Sequence, residues 1–444
     1  MKDIVNVIDA NRQLILDAER FIWAHPETGY KEFVTCEYLA KKFQELGYEL
    51  TFAENITGFF TEIDTGKTGP KILILGELDS VVCPSHPEAD PKTGAVHSCG
   101  HNAQCATLLG VAAALKDKNI LDKLCGKIML CAVPAEEMIE LEYRSSLMDK
   151  GIIKYYGGKC EFLHRGYFDG VDIAFMVHHS TSSCAIGGAV GILAKNITYK
   201  GVSAHAGGSP WDGHNALYAA TCGLNAVNAI RETFKESDLI RFHPIITDGG
   251  SIVNAIPENA NIETYVRGKT YDAILSANKR INKALIGAAL SIDTNIEITE
   301  RPGYAPLKND KNLLCIVKES FEALFPEEEY PVYPNKFSTG STDMGDLSCV
   351  MPVIHPYIGG AVGKGHGNDY RIADPELACV SNAKFHLAIL KTLLENNAEK
   401  AKMVISEAEP PFSSKEEYLA YIDSLNTSGE RISYNGDGTA TVKL

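Results

Sequence analysis

The stretch KILILGELD at residues 71–79 is a nearly continuous apolar run that ends with Glu77 and Asp79. Such a run is typical of a strand that is buried on both faces of a parallel sheet. Two later stretches have the same form, GKIMLCAVPAEE at 126–137 and VDIAFMVHHS at 171–180. Helical patterns separate these runs. Strands that alternate with helices predict an α/β domain whose sheet is doubly wound and mostly parallel.

The pattern changes at about Gly191, where strands and helices follow in the order β-α-β-β-α-β as far as residue 301. This order predicts a ferredoxin-like α+β unit inserted into the larger domain. We therefore predict a larger domain of residues 1–190 and 302–404, and an inserted domain of residues 191–301. Residues 405–444 are predicted to form a C-terminal appendage with a short helix of its own.

Composition narrows the class of protein. A chain of 444 residues is too long for one compact core, and 45% hydrophobic with 22% charged residues is ordinary for a globular protein. The net charge of -15 argues against nucleic acid as a partner. No stretch predicts a membrane helix or a signal peptide, and the twelve cysteines lack a disulfide or CxxC spacing. We expect a cytoplasmic protein with reduced thiols.

Potential metal ligands follow the predicted strands at their carboxyl ends, the edge at which open α/β sheets bind ligands. They are Asp79, Cys99 and His101 in HSCGHN, Glu136, Glu137, His178, His179, and His366 in GKGHGND. Cysteine, histidine and glutamate are ligands for zinc and manganese, so this set predicts a site for two divalent metal ions. Because neighbours in a strand face opposite ways, only one of His178 and His179 is expected to ligate.

The order of the motifs carries a family resemblance that runs from about residue 10 to 395. The motifs are ELD, HSCGHN, VPAEE, FMVHH, GVSAHAGGSPWDGHNAL, GGSIVNAIPE, YVRG, GSTDMGD and GHGNDYRIAD. As an ordered set they resemble the metallo-amidohydrolases of the aminoacylase/carboxypeptidase superfamily. Within it the chain looks most like the hippurate, auxin-conjugate and p-aminobenzoyl-glutamate hydrolase branch.

The resemblance implies a set of metal ligands. These are Cys99, His101, Glu137, His178 and His366, with the Cys99 thiolate bridging or shared between the two ions. His178, rather than His179, is the residue that matches the family's ligand. The metal itself, zinc or manganese, stays open.

The resemblance also implies roles for residues that do not ligate. Glu136 matches the general base, His205 the group that polarises the scissile carbonyl, and Asn254 and Arg267 the groups that bind the substrate's carboxylate end. The chemistry suits these residue types, since a carboxylate can relay a proton and an arginine can bind a carboxylate in bidentate fashion. A salt bridge within the small domain is the alternative for Arg267.

The sequence therefore predicts a hydrolase of the amide bond in a small-molecule N-acyl or N-aroyl amino acid, p-aminobenzoyl-glutamate-like, or in a dipeptide. The segment MIELEYRSS after PAEE is bulkier and more acidic than in many relatives, and Asn102 stands where many have aspartate. Substrate choice is thus left open. Two alternatives are an amidohydrolase subunit that is active only with a partner chain, and a metal-free binding or scaffold protein of the same fold. The family resemblance also suggests a homodimer formed through the small domain.

Overall fold

The apolar runs of the sequence form strands in the computed structural model, which describes residues 1–444. The strands are β1 Thr51–Phe52, β2 Phe59–Asp64, β3 Lys71–Glu77, β4 Val81–Val82, β5 Ala95–Val96, β6 Lys127–Val133, β7 Ile173–Phe175, β8 His178–His179, β9 Ala185–Ala189, β10 Gly191–Lys200, β11 Arg241–Phe242, β12 Ile245–Asp248, β13 Asn259–Gly268, β14 Asn295–Pro302, β15 Leu307–Lys308, β16 Val332–Ser338, β17 Val353–Ile354, β18 Tyr357–Ile358, β19 Ala361–Val362, β20 Arg371–Ile372, β21 Ile432–Tyr434 and β22 Ala440–Val442.

Fourteen α-helices accompany these strands. They are α1 Lys2–Ala10, α2 Arg12–Trp23, α3 Phe33–Glu45, α4 His101–Ala114, α5 Lys118–Leu121, α6 Leu141–Asp149, α7 Gly158–His164, α8 Ala216–Arg231, α9 Tyr271–Ser291, α10 Lys311–Leu324, α11 Met344–Ser348, α12 Asn382–Leu394, α13 Glu399–Glu407 and α14 Lys415–Ser424. A π-helical segment, Glu376–Ser381, precedes α12. The protein is therefore of the mixed α/β class.

The chain divides into two compact units. Unit 1 comprises Met1–Gly188, Leu307–Phe337 and Thr342–Lys415, and unit 2 comprises Ala189–Pro306, Ser338–Ser341 and Glu416–Leu444. The residues that we expected to form an appendage are divided between the two units after Lys415.

Unit 1 contains a six-stranded sheet in the order β1-β2-β6-β3-β7-β17. Strands β6, β3, β7 and β17 are parallel to one another, whereas β2 is antiparallel to both β1 and β6. Six of the seven residues are buried in each of β3 and β6, because helices cover this part of the sheet. Every residue of α4 is buried, and its small alanine and glycine residues allow close packing on β3, α2 and α12.

Unit 2 contains an antiparallel sheet in the order β11-β13-β10-β14, and β12 also pairs with β13. Burial alternates along β13, as expected for a strand with one covered face. Helices α8 and α9 pack against each other and against β10 and β13. Asn215 and Thr270 cap these helices by accepting hydrogen bonds from Tyr218 N and Ala273 N.

The last part of unit 2 lies against the outer edge of β14. Glu300 and Thr427 exchange two backbone hydrogen bonds of 2.7 and 3.0 Å, and Gly429 O accepts a third from Ile298 N. Further along, Ile432 is 2% exposed in the core of unit 2. Residues 427–432 therefore satisfy backbone groups that an edge strand would otherwise leave unpaired.

One helical segment, Glu376–Leu394, is long and apolar enough to cross a membrane by length and composition alone. In this protein 72% of its apolar window is buried inside the fold. Such burial is typical of a helix in the core of a folded domain, and core helices can meet the same criteria of length and composition.

Candidate active site and metal ligands

The candidate ligands lie where the parallel strands of unit 1 end. Strand β3 ends at Glu77 and is followed by Asp79, while Glu136 and Glu137 follow β6. His178 begins β8, shortly after the end of β7 at Phe175. The carboxyl ends of parallel strands meet at one edge of the sheet, and residues from separate parts of the sequence come together there for this reason.

Two groups of candidate ligand atoms share Cys99. One group contains Cys99, His101 and His178, the other contains Cys99, Glu137 and His366, and in each the ligand atoms lie within 4.8 Å of one another. Cys99 Sγ is 3.4 Å from His178 Nε2, and Glu137 Oε1 is 3.0 Å from His366 Nε2. All five residues lie in unit 1. A thiolate with a separate set of partners on each side suits a pair of ions with one shared ligand.

Two buried atoms, Nε2 of His101 and Oε1 of Glu137, indicate whether these residues fit metal ions. Nδ1 of His101 is 2.9 Å from the backbone oxygen of Asp79, which orients the ring and turns Nε2 toward the other ligands. His101 Nε2 and Glu137 Oε1 are buried without a hydrogen-bond partner of acceptable geometry. An unsatisfied buried polar atom costs free energy, and a bound cation would satisfy both. The residues therefore fit divalent cations.

The structure separates the neighbouring histidines His178 and His179. His178 Nδ1 lies 3.0 Å from the backbone oxygen of His179, which leaves Nε2 to face Cys99. His179 is buried, and its Nε2 lies 2.8 Å from the backbone oxygen of Ala378. The structure thus places His178, and not His179, in a candidate ligand group.

The charges of the site perturb its titrating groups. Burial alone would raise the pKa of the Cys99 thiol, but His101 and His178 outweigh it and lower the pKa to about 6. Burial and the neighbouring carboxylates of Glu77 and Glu137 raise the pKa of Glu136 well above its usual value. The site therefore favours a thiolate at Cys99, which is the form that binds metal.

Comparison with known proteins identifies the family of the chain. Residues 73–396 match the family model described as peptidase family M20/M25/M40. The chain belongs to this family. The prediction that it is a hydrolase acting on amide bonds is thereby confirmed, and so is the branch, because related proteins include p-aminobenzoyl-glutamate and indole-3-acetyl-aspartic acid hydrolases.

Individual relatives of this M20/M25/M40 peptidase show the extent of the similarity. It is 28% identical over 365 residues to a mouse Xaa-Arg dipeptidase, covering 79% of this chain and 77% of the relative. It is 28% identical to one of the chains of the p-aminobenzoyl-glutamate hydrolase of Escherichia coli, covering 66% of this chain and 59% of the relative. A Bacillus subtilis structure described as a dinuclear metal-binding peptidase of the M20 family has a TM-score of 0.65 at 20% identity, covering 87% of this chain and 99% of that one.

A buried ion cluster behind His101 was not predicted. Lys159 Nζ lies 2.5 Å from Glu77 Oε1 and also bonds Asp343, and all three side chains are fully buried. Glu77 Oε2 in turn is 3.1 Å from His101 Nε2. Glu77 and Asp343 lie in the ELD and GSTDMGD motifs, but nothing near Lys159 in sequence signals a buried cation.

Two of the predicted catalytic and substrate residues lie close together in unit 2. His205 forms a backbone bridge with Ala255, and Ala206 N donates to Asn254 O at 3.0 Å. The side chains of His205 and Asn254 are exposed. His205 Nδ1 accepts hydrogen bonds from the backbone N–H groups of Gly207 and Gly208, at 3.1 and 2.8 Å.

Arg267 lies on β13 of unit 2 and is half-buried. Its Nε donates to His243 Nε2 at 3.1 Å, and its Nη1 donates to Ser341 Oγ at 3.0 Å. Burial and the adjacent guanidinium lower the pKa of His243. The sequence pattern indicates only a surface or loop position for His243, because its contact with Arg267 joins positions that are 24 residues apart.

Proposed function

We propose that this M20/M25/M40 peptidase uses two divalent metal ions to hydrolyse the amide bond of an N-acyl or N-aroyl amino acid or of a dipeptide. The observation that carries the proposal is the pair of ligand groups sharing Cys99, with Glu136 Oε2 only 3.9 Å from His101 Nε2. The names of the relatives, a dipeptidase and a p-aminobenzoyl-glutamate hydrolase, support this substrate class.

One ion would be held by Cys99, His101 and His178, and the other by Cys99, Glu137 and His366. Thiolate and imidazole ligands favour zinc over magnesium or calcium, and the carboxylate ligand also suits manganese. When bound, the two ions supply polarisation of the amide carbonyl and a lowered pKa for water.

Glu136 is the proton carrier in this proposal. It neighbours Glu137 in sequence and belongs to neither ligand group that contains Cys99, although its carboxylate forms a third group with Glu77 and His101. Its carboxylate would take a proton from the attacking water and pass it to the leaving nitrogen. Burial of Glu136, which is 6% exposed, limits competition from bulk water.

His205 would donate a hydrogen bond to the oxyanion that develops on the scissile carbonyl. Its Nδ1 accepts from two backbone N–H groups, and the neutral imidazole must therefore carry its proton on Nε2. Nε2–H is then a donor held in a fixed orientation. This tautomer supports the role that the resemblance implied.

Arg267 and Asn254 would bind the carboxylate of the amino acid portion. A guanidinium presents parallel N–H donors to a carboxylate, a geometry that lysine does not reproduce. The hydrogen bond to His243 supports the proposal because it fixes the plane of the guanidinium before substrate binds.

We also propose the finer domain arrangement, with residues 1–190 and 302–404 as a doubly wound catalytic domain and 191–301 as a ferredoxin-like lid. The strand order in unit 2, with two helices packed on the sheet, supports the second part. Exposed apolar side chains of unit 2 support a homodimer formed through this domain, and they include Trp211, Tyr218, Ile245 and Ile246. Light scattering after chromatography would give a monomer mass if the dimer proposal is wrong. A cytoplasmic location is proposed as well.

The central test measures metal content and turnover together. Protein purified without chelator should contain close to two equivalents of zinc or manganese, and manganese should increase hydrolysis of N-acyl amino acids, dipeptides or p-aminobenzoyl-glutamate. Absence of both bound metal and metal-dependent turnover would contradict the proposal and favour the binding-protein alternative. Turnover that appears only after a second chain is added would favour the partner-dependent alternative.

A second experiment tests the role of Glu136. Glu136→Gln should abolish turnover while the protein keeps both metal ions, whereas Glu137→Gln should lose metal. Glu142→Gln is the matched control, because Glu142 is exposed on the helix that follows. Near-normal turnover of Glu136→Gln would show that the general base is another group.

A further inference from the structure

Neither the family resemblance nor the ligand groups explain how the loop PAEE, residues 134–137, keeps its shape. Ala135 has a φ of 58°, in the left-handed region that a residue with a side chain rarely adopts. Such a conformation persists only where the surroundings enforce it. The loop carries Glu136 and Glu137, so its conformation decides where the proposed base and one proposed ligand stand.

We propose that Arg144 and Glu32 are positioning residues that clamp this loop. The inference rests on the proposed function, because it assigns them to the reaction of Glu136 and the metal ligand Glu137. Neither residue belongs to a motif that carried the family resemblance, and Arg144 lies in the segment MIELEYRSS that departs from many relatives.

Arg144 holds the loop through its backbone oxygens. The residue is 1% exposed, and its Nη2 donates to the backbone oxygen of Glu137. Its Nη1 donates to the backbone oxygen of Tyr156 at 2.7 Å and, more weakly, to that of Ala135 at 3.4 Å. A planar guanidinium can serve three carbonyls in different directions, whereas a lysine ammonium concentrates its donors at one point.

Glu32 holds the same loop from the other side. It is fully buried, and its Oε1 accepts a 2.8 Å hydrogen bond from the backbone N–H of Ala135. Its Oε2 accepts one of 2.5 Å from Thr57 Oγ1. Gly29 closes the arrangement, since a Cβ there would lie 2.5 Å from Arg144 Nη2 and 2.9 Å from Ala135 Cα.

Both peptide groups that flank Glu136 are therefore hydrogen-bonded. The carbonyl before it, on Ala135, accepts from Arg144 and from Gly158 N at 3.2 Å. The N–H after it, on Glu137, donates to Asp79 Oδ2 at 2.8 Å. With both neighbouring peptides held, the backbone of Glu136 has little freedom, and its carboxylate is oriented before substrate arrives.

Arg144→Met tests the clamp, with Arg165→Met as matched control. Arg165 also donates to backbone oxygens, but they are those of Glu54 and Ile152, outside the PAEE loop. We expect Arg144→Met to lower kcat by roughly 10- to 100-fold with little change in KM, and to weaken binding of one metal ion by a similar factor. Arg144→Lys should recover part of the loss. Arg165→Met should keep kcat and metal affinity.

Metal affinity is measured by competition with a chelator. The kinetics of each variant are measured at a temperature well below its melting temperature. If Arg144→Met does not fold, Glu32→Met, which removes both acceptor oxygens, is measured in its place and should show the same loss of kcat and metal affinity. The inference is overturned if the folded variant keeps kcat and metal affinity within about twofold, or if Arg165→Met loses as much. Failure of the proposed function is distinguishable, because wild type itself would then lack metal-dependent turnover.

Discussion

Replacing Glu300 by glutamine should destabilise unit 2 in a manner that depends on pH. The carboxylate of Glu300 pairs with Lys195, a fully buried lysine, and accepts 2.8 Å hydrogen bonds from both Asn278 and Asn282. Thr427, in the C-terminal segment beside β14, donates a fourth hydrogen bond at 2.9 Å. Glu300 is therefore the acceptor on which β10, α9, β14 and the C-terminal segment converge.

The size of the expected destabilisation follows from the pKa of Glu300. Burial by itself would raise this pKa, but Lys195 and the two amides outweigh it and lower the pKa from 4.5 to about 2. At 1.36 kcal/mol for each pKa unit, the ionised form stabilises the folded state by about 3 kcal/mol. Because the folded pKa is depressed, this stability is fully present above pH 4.5 and is lost as pH falls toward 2. About 2 kcal/mol should remain at pH 3.5.

The assay is pulsed hydrogen exchange across a urea series, read by mass spectrometry on peptides from β10 and β14. At pH 7, Glu300→Gln should lower the free energy of unfolding of unit 2 by about 3 kcal/mol, because the neutral amide, like a protonated acid, lacks the charge that pairs with Lys195. The difference from wild type should shrink by about 1 kcal/mol at pH 3.5. Thr427→Val, the control, should cost about 1 kcal/mol with little pH dependence. A difference that stays constant between pH 7 and pH 3.5 would refute the reasoning.

Three further predictions concern other parts of the chain. Lys159→Met should lower the free energy of unfolding of unit 1 by about 3–5 kcal/mol in urea titrations, because two buried carboxylates lose their counterion. Truncation after Lys415 should uncover the edge of β14 and cause self-association visible by light scattering. Gly100→Ala should lower the melting temperature and the metal content, since Gly100 has a φ of 89° and a Cβ there would clash with Tyr370 Oη.

Much of unit 1 was predictable because its central strands are apolar over their whole length. Runs such as 71–77 and 127–133 are buried in the sheet, as their composition predicted. Residue types at the ends of these runs also predicted which chemistry to expect, and the family and the amidohydrolase activity are confirmed. The roles of Glu136, His205, Asn254 and Arg267 stay predictions that mutants must test.

The C-terminal residues, 405–444, show where the local sequence pattern was insufficient to predict the structure. Sequence periodicity detected a short helix after residue 405 but no function for the segment. The structure places Thr427 against Glu300 and Ile432 in the core of unit 2, at positions more than 100 residues away in sequence. Pairing over such a separation depends on which strand edge is left uncovered by the rest of the fold, and no local window of sequence contains that information.

The sequence by itself determined the chemistry available to this protein, because thiol, imidazole and carboxylate side chains such as those of Cys99, His101 and Glu137 are suitable ligands for divalent metals. Tertiary structure decided which of them meet and how they are held. It turned His178 toward Cys99 and His179 toward a backbone oxygen. The physical reason is that strand ends and buried hydrogen bonds join residues distant in sequence, so each side chain's role depends on neighbours that only the folded chain supplies.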